Sequence, residues 1–333
     1  WKTGVKILVV GLVILGDDGV ELDDKNRYTD DIRSFMPIVG EAFFNKGAEL
    51  FNDGLLALEE GEKDAATGRF DAAANSFEKA FNIYAEAGIS DTTSIYFVSL
   101  AAELGEDWEK ARKNLEKLVE MEYNQSGIYS SLANIYYTQD KDLKKAIGIY
   151  AIGRQRFPED FNLLLNETNL FLGEDMTEEA LDNLTKAAEI DTLNASIFFA
   201  IGAKYNELAD DTTRSEETRK DYFDKSVVAY NKSIEIDPDY FDPNYNMGAL
   251  YVNKAAAIIT VANELPLNEV KQYDGMKTES DNYLHLSLPY LERAHEIDPE
   301  DMATLVSLKE IYTRLNMIDK LKEVDQKIHE HDE

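Results

Sequence analysis

The chain has 333 residues, 44% hydrophobic and 30% charged, with 34 lysines and arginines against 65 aspartates and glutamates for a net charge of −31. That is ample for a sizeable core, and so acidic a surface repels nucleic-acid phosphates and anionic membranes, which excludes both as expected partners. The absence of cysteine excludes disulfides, thiolate catalysis and cysteine zinc sites.

Residues 1–39 form an apolar and acidic segment packed on, or leading into, the rest of the chain. Val5 to Leu15 is apolar apart from Lys6, and an acidic loop runs from Asp17 to Asp24. The run is too short to cross a bilayer, which takes about 20 apolar residues. Its length and the lysines Lys2 and Lys6 fit the h-region of a signal peptide, but no A-x-A cleavage site comes after it. The alternative is a helix or strand packed on the first helical unit, which would cover an otherwise exposed patch. A chain that opens at Trp1 is expected to continue upstream. Asp30 or Asp31 can cap a helix carrying Ile32, Phe35 and Met36, and Pro37 marks a new first turn or a kink.

From residue 40 to residue 333 the pattern is that of paired helices. Phe43, Phe44, Gly47 and Phe51 belong to a first helix, and Ala73, Phe77 and Ala80 to a second. The stretch between Gly47 and Ala73 is longer than in the later pairs, and the first helix is expected to run on until Gly68 breaks it. A second unit covers Thr92 to Asn124, with Trp108, Ala111, Leu115 and Leu118 at helical spacing. The third runs from Ser126 to Asp160 and the fourth from Phe161 to Leu193. The fifth opens at Gly202 and Tyr205 and closes at Pro238, and the sixth closes at Pro299; both are stretched. In the sixth the excess lies between Tyr251 and Ser287, with a hairpin tip near Pro266 or Gly275. A final pair carries Leu305, Leu308, Ile311 and Tyr312, then Leu321, Val324 and Ile328 on a polar helix suited to capping an exposed end.

The junction from Tyr230 to Tyr251 carries the clearest signature. Asp237-Pro238 stops one helix, because proline offers no N–H and restricts the residue before it. Gly248 then puts a small residue where two helices touch, with Tyr251 one turn on. This resembles the junction of tetratricopeptide (TPR) repeats, with their small and aromatic slots and closing proline over 34 residues. The resemblance spans about Gly40 to Ile328. Departures are the missing tryptophan, Ala133 and Thr168 in glycine slots, and proline kept only at Pro158, Pro238 and Pro299, with Thr192 in its place once. It implies an all-α, right-handed superhelical solenoid of about six repeats plus a C-terminal capping pair, with lengthened hairpins in the first, fifth and sixth repeats. The stretched sixth repeat also resembles those of secreted or periplasmic bacterial TPR proteins.

No catalytic signature stands out: phosphate-binding glycine loops, H-E-x-x-H and G-x-S-x-G are all absent. His285 and His295 read as surface or packing residues, and His329 and His331 as a frayed end. Asp17, Asp18, Glu21, Asp23 and Asp24 lack the spacing of a calcium loop, so no metal and no cofactor is expected. The chain is expected not to be an enzyme.

In TPR proteins the first helix of each repeat lines the concave face. Carried over, that implies a groove lined by Phe44, Ala48 and Phe51, then by Tyr96, Leu100 and Glu103, and by Ser130, Asn134 and Tyr137. Further along it holds Asn162, Leu165 and Asn169, then Phe199, Ala203 and Asn206, and finally Tyr245, Ala249 and Asn253. Asn134 and Asn169 fall where many TPR proteins hold a peptide backbone, a task suited to an amide because it both donates and accepts. None of these positions is basic, so a clamp for a carboxylate is not expected. The aromatics among them serve equally well as packing between repeats. The resemblance thus implies a scaffold that binds a neutral, apolar or basic protein segment. The alternative is an accessory subunit of a bacterial envelope or secretion assembly, docking through the sixth-repeat hairpin and the N-terminal segment.

Overall fold

The computed structural model describes residues 29–332, so the Val5 to Leu15 run and the acidic loop lie outside the described residues. The fourteen elements among the described residues are all α-helices. They pair as α1 (Thr29–Glu59) with α2 (Lys63–Glu86), α3 (Thr92–Leu104) with α4 (Trp108–Glu120), and α5 (Gly127–Thr138) with α6 (Leu143–Arg156). Then come α7 (Phe161–Gly173) with α8 (Thr177–Ile190), α9 (Ala195–Asp210) with α10 (Glu216–Ile236), and α11 (Phe241–Asn263) with α12 (Val270–Ile297). The last pair is α13 (Met302–Arg314) and α14 (Ile318–Asp332). The chain divides into two compact units, Trp1–Leu163 and Leu164–Glu333, with the boundary in the first turn of α7. Successive helices from α1 to α6 and from α8 to α14 pack on one another, and Asn183 of α8 donates to Glu167 of α7 at 2.9 Å.

Two kinds of turn recur. Within the pairs, one residue takes a left-handed conformation: Gly61, Glu106, Lys141, Asp175 and Asn316. Such a residue redirects the chain in one step and costs a non-glycine side chain about 1 kcal/mol. Asp107 and Asp142 then cap α4 and α6 by accepting from the N–H of Lys110 and Lys145 at 3.1 and 3.0 Å. Between pairs, a four-residue turn repeats: the N–H of Asp160, Asn194, Tyr240 and Asp301 each donates to the carbonyl three residues earlier. Pro158, Pro238 and Pro299 hold its second position, and Thr192 holds the fourth copy.

The regular helices run 12 to 14 residues. The first, fifth and sixth pairs are longer, at 31 and 24, 16 and 21, and 23 and 28 residues. In the first pair the extension differs from the expectation in place. Gly68 does not break a helix; it sits inside α2, and the chain turns at Gly61, whose φ is +80°. Pro37 likewise starts no new helix, because α1 runs through it from Thr29. A Cβ on Gly54 would lie 2.7 Å from the Phe70 ring, one on Gly47 2.7 Å from Phe77, and one on Gly40 2.8 Å from Tyr84. The glycines step seven residues along α1 while the rings step seven back along α2. That is two helical turns each time, so the antiparallel register holds. Gly54, Ala66 and Phe70 keep the spacing of Ser99, Ala111 and Leu115 in the next pair, so the extra turns lie at the end away from the tip.

The fifth and sixth pairs lengthen toward the tip instead. Gly202 and Gly248 stand at the usual distance from the caps Asn194 and Tyr240. The α11–α12 hairpin turns at Pro266, while Gly275 lies within α12. Three buried serines tie these long helices together. Ser226 donates to the Gly202 carbonyl at 2.8 Å, Ser233 to Ala195 at 2.7 Å and Ser280 to Ala255 at 2.7 Å. Each such bond contributes about 1 kcal/mol and satisfies the buried serine hydroxyl that donates it. In the N-terminal unit, Phe44, Phe51, Phe70, Phe77 and Phe97 meet edge-on or stacked with centroids 5.2 to 6.3 Å apart. In the C-terminal unit, Tyr230, Met247, Leu250 and Tyr251 form one core and Leu284, Leu291, Leu305, Leu308 and Ile311 another.

Candidate functional site

Every position carried onto the first-helix face keeps contact with solvent. In the N-terminal unit Asn134 and Asn162 are exposed, and Tyr96 and Tyr137 are half-buried. In the C-terminal unit Asn169 and Asn253 are exposed, and Phe199, Asn206 and Tyr245 are half-buried. The aromatic members also pack. Tyr96 lies against Phe97 and Tyr123 at 5.6 Å each, Phe199 against Tyr230 at 6.0 Å and Tyr240 at 5.5 Å, and Tyr245 stacks on Phe241 at 5.9 Å. Phe44 and Phe51 belong to the phenylalanine cluster of α1 to α3. The asparagines are therefore the open polar groups of the face, and the rings hold the helices that present them.

Glu103, on the same face of α3, sits where burial pushes its carboxyl up, opposed in part by a hydrogen bond with Ser131 of α5. Burial pushes the Tyr96 hydroxyl up as well. Between successive pairs a tyrosine–glutamate bond occurs twice. The Tyr136 hydroxyl donates to Glu116 at 2.5 Å, and Tyr312 to Glu292 at 2.9 Å. Burial, then the bond to Glu116 and its charge, push Tyr136 up to about 12.

The histidines read as packing and surface groups occupy those places: His285 is exposed, and His295 lies 2.8 Å from the Lys327 ammonium. Burial, then that ammonium, pushes His295 down. Among the described residues no group of three or more histidines or acids could hold a metal ion. No helix among them is long and apolar enough to cross a membrane.

Sequence reasoning missed a channel in the C-terminal unit. It lies between the second helices α8 and α10, with α9 as its floor, and encloses about 900 Å³. Phe198, Ile201 and Tyr205 line the floor at three- and four-residue steps. Thr185 and Ala188 form the α8 wall with Thr192 of the turn after it, and Val228 and Ala229 stand on the α10 side. Short side chains along the α8 wall leave the hollow unfilled; their spacing along α8 was the signal available in the sequence.

The family model described as TPR repeat matches residues 219–254, which is α10 and the first half of α11. Comparison with curated proteins gives no match. Among solved structures, a TPR repeats protein from Bacteroides fragilis NCTC 9343 is 15% identical, with 80% of this chain and 98% of that one covered and a TM-score of 0.34. PilF of Pseudomonas aeruginosa is 13% identical over 71% and 90% of the two chains, with a TM-score of 0.42. MamA from Desulfovibrio magneticus RS-1 is 14% identical over 63% and 97%, with a TM-score of 0.41. The matched helix-pair junction is a TPR repeat, and the same small-residue notch and interhelical turn recur on either side of it.

Proposed function

We propose that the chain is a non-enzymatic scaffold whose first-helix faces bind a protein or peptide segment. The observation that carries this reading is the open amide set: Asn134 and Asn162 in one unit, Asn169 and Asn253 in the other, each exposed on the first helix of its pair. An amide both donates and accepts, so a row of them satisfies an extended backbone without regard to its side chains. Specificity then comes from the flanking rings of Tyr96, Tyr137, Phe199 and Tyr245, with Asn206 beside them, and from charge. Glu103 is a carboxylate held partly out of water, which a lysine or arginine of the bound segment neutralises. No basic side chain stands at these positions, so the segment is neutral, apolar or basic rather than a free carboxylate. The residues from 40 to 333 form the repeat array, with α13 and α14 as its cap. To test this, a photo-crosslinking residue is placed at Asn134 or Asn253, and a third at exposed Lys113 of α4 as control. A discrete protein adduct from the first two sites and none from Lys113 is expected; equal labelling from all three, or none, refutes the reading.

A second reading is favoured by one feature. The tip of the α11–α12 hairpin exposes Val261, Leu267 and Val270, with Leu267 99% exposed. Three apolar side chains at the end of a long hairpin suit docking into an envelope or secretion assembly. Leu267→Asp should abolish co-purification with that assembly while helicity is unchanged, and retained co-purification ends the idea.

A further inference from the structure

We infer that the channel between α8 and α10 is a second binding surface, walled by second helices and sharing only α9 with the proposed scaffold face, and that its occupant is a basic amphipathic helix of another protein. Three observations converge on that chemistry. The floor is an apolar stripe, Phe198, Ile201 and Tyr205, and on its rim Val228 is 69% exposed. An exposed valine beside an apolar hollow gains by being covered.

The length fits a helix. The lining of α10 extends from Asp221 to Glu235. That is about 21 Å at 1.5 Å per residue, or roughly four turns. A partner helix lying along it sets apolar side chains at i, i+3 or i+4 and i+7 into the hollow, and 900 Å³ admits such a row.

The charge selects the partner's sign. Both lysines of the channel are already engaged: Lys225 with Asp221 at 2.7 Å and over the rings of Tyr205 and Tyr222, and Lys232 with Glu235 at 3.1 Å. Glu189 and Asp224 also line it and make no ion pair among the described residues. The rim therefore carries uncompensated negative charge over an apolar floor. A second copy of this chain, itself at −31, would bring repulsion to that rim, whereas lysines flanking an apolar stripe complement it.

The test uses a labelled amphipathic helix of leucine and lysine, a scrambled peptide of the same composition, and a leucine–glutamate counterpart, with anisotropy read at about 150 mM salt. Tight binding is expected for the first peptide alone. Val228→Asp should weaken it at least about 10-fold, because a carboxylate then opposes the apolar contact. Val306→Asp, at a site 52% exposed on α13, should change nothing. If the attraction were charge alone, Val228→Asp would bind as tightly or more tightly, and that result overturns the proposal. So does equal binding of the scrambled peptide, or concentration-dependent dimerisation that Val228→Asp removes. Asn169→Ala and Asn253→Ala should leave the peptide's affinity unchanged, which separates this surface from the scaffold face. Val228 is exposed, so unaltered helical circular dichroism is expected of its variant.

Discussion

Gly202→Ala places the two determinants of helix stability in opposition. Alanine is the better helix former, by about 1 kcal/mol over glycine in a helix interior. At Gly202, however, the new Cβ would lie 2.5 Å from Cδ1 and 2.7 Å from Cε1 of Tyr230. Carbon atoms rest at about 3.5–4.0 Å, so roughly 1 Å must be relieved. Tyr230 is fully buried, tilted against Phe199, and packed with Met247, so its ring has little room to retreat. The bond from Ser226 to the Gly202 carbonyl holds the two backbones close as well. Overpacking of this kind costs about 1–3 kcal/mol, so after the helix gain the net expectation is a loss of about 0–2 kcal/mol. Gly275→Ala is the matched control in the same unit: it lies inside α12 with nothing within 4 Å of the built Cβ, and should gain about 1 kcal/mol. Urea denaturation followed by circular dichroism gives the sign of each. Hydrogen exchange of the α9 and α10 amides localises the effect, because repeat proteins open in parts. If Gly202→Ala proves as stabilising as Gly275→Ala, close helix approach is not what the small-residue slot provides, and the packing argument for the whole notch series fails.

Thr192→Pro should raise stability by about 0.4–1 kcal/mol in the same urea assay by restricting the unfolded chain. Its turn matches the three proline-bearing ones: Asp191 has φ −116° and ψ 82°, against −133° and 93° at Asp237, and the turn's bond from Asn194 to Asp191 does not use Thr192. Tyr136 carries a pH dependence of definite sign. Its folded value of about 12 lies above the ordinary value of about 10, so its contribution is present below pH 10 and lost as pH rises toward 12. Stability measured against Tyr136→Phe should therefore converge over that window, and a constant difference would contradict the assignment. Glu103→Gln should stabilise the fold at neutral pH, because burial raises the carboxyl and its favourable contribution is lost as pH rises through the raised folded value. The gain should vanish below the ordinary value of about 4.3, and a gain independent of pH would point to a different cause.

The paired-helix architecture was legible because its signals are local. Proline or threonine at the interhelical turns, aspartate caps and small residues against rings each act within one or two helices, and repetition brings them into phase. The lengthened hairpins could be counted from spacing, and the tip of the sixth falls at Pro266, one of its two expected places. The extension of the first falls elsewhere because Gly40, Gly47 and Gly54 are equivalent by sequence, and only their facing rings, Tyr84, Phe77 and Phe70, set which one stands nearest the turn. Gly61 and Gly68 are likewise the same residue to a sequence reading; the left-handed conformation of Gly61 decides that the chain reverses there.

The candidate site divides along the same line. A residue's seat on the first helix follows from its distance to a cap, so Asn134, Asn169 and Asn253 could be placed on that face by counting. Whether a ring among them is open or packed depends on neighbours far along the chain: Phe199 meets Tyr230 and Tyr240, and Phe44 meets Phe77 and Phe97. The channel between α8 and α10 is a matter of tertiary structure almost entirely. By itself the sequence determined helices, turns and their order, since those depend on residues within a few turns of one another. The distance between α8 and α10 is set by how both pack on α9, and that spacing belongs to no single stretch of the chain.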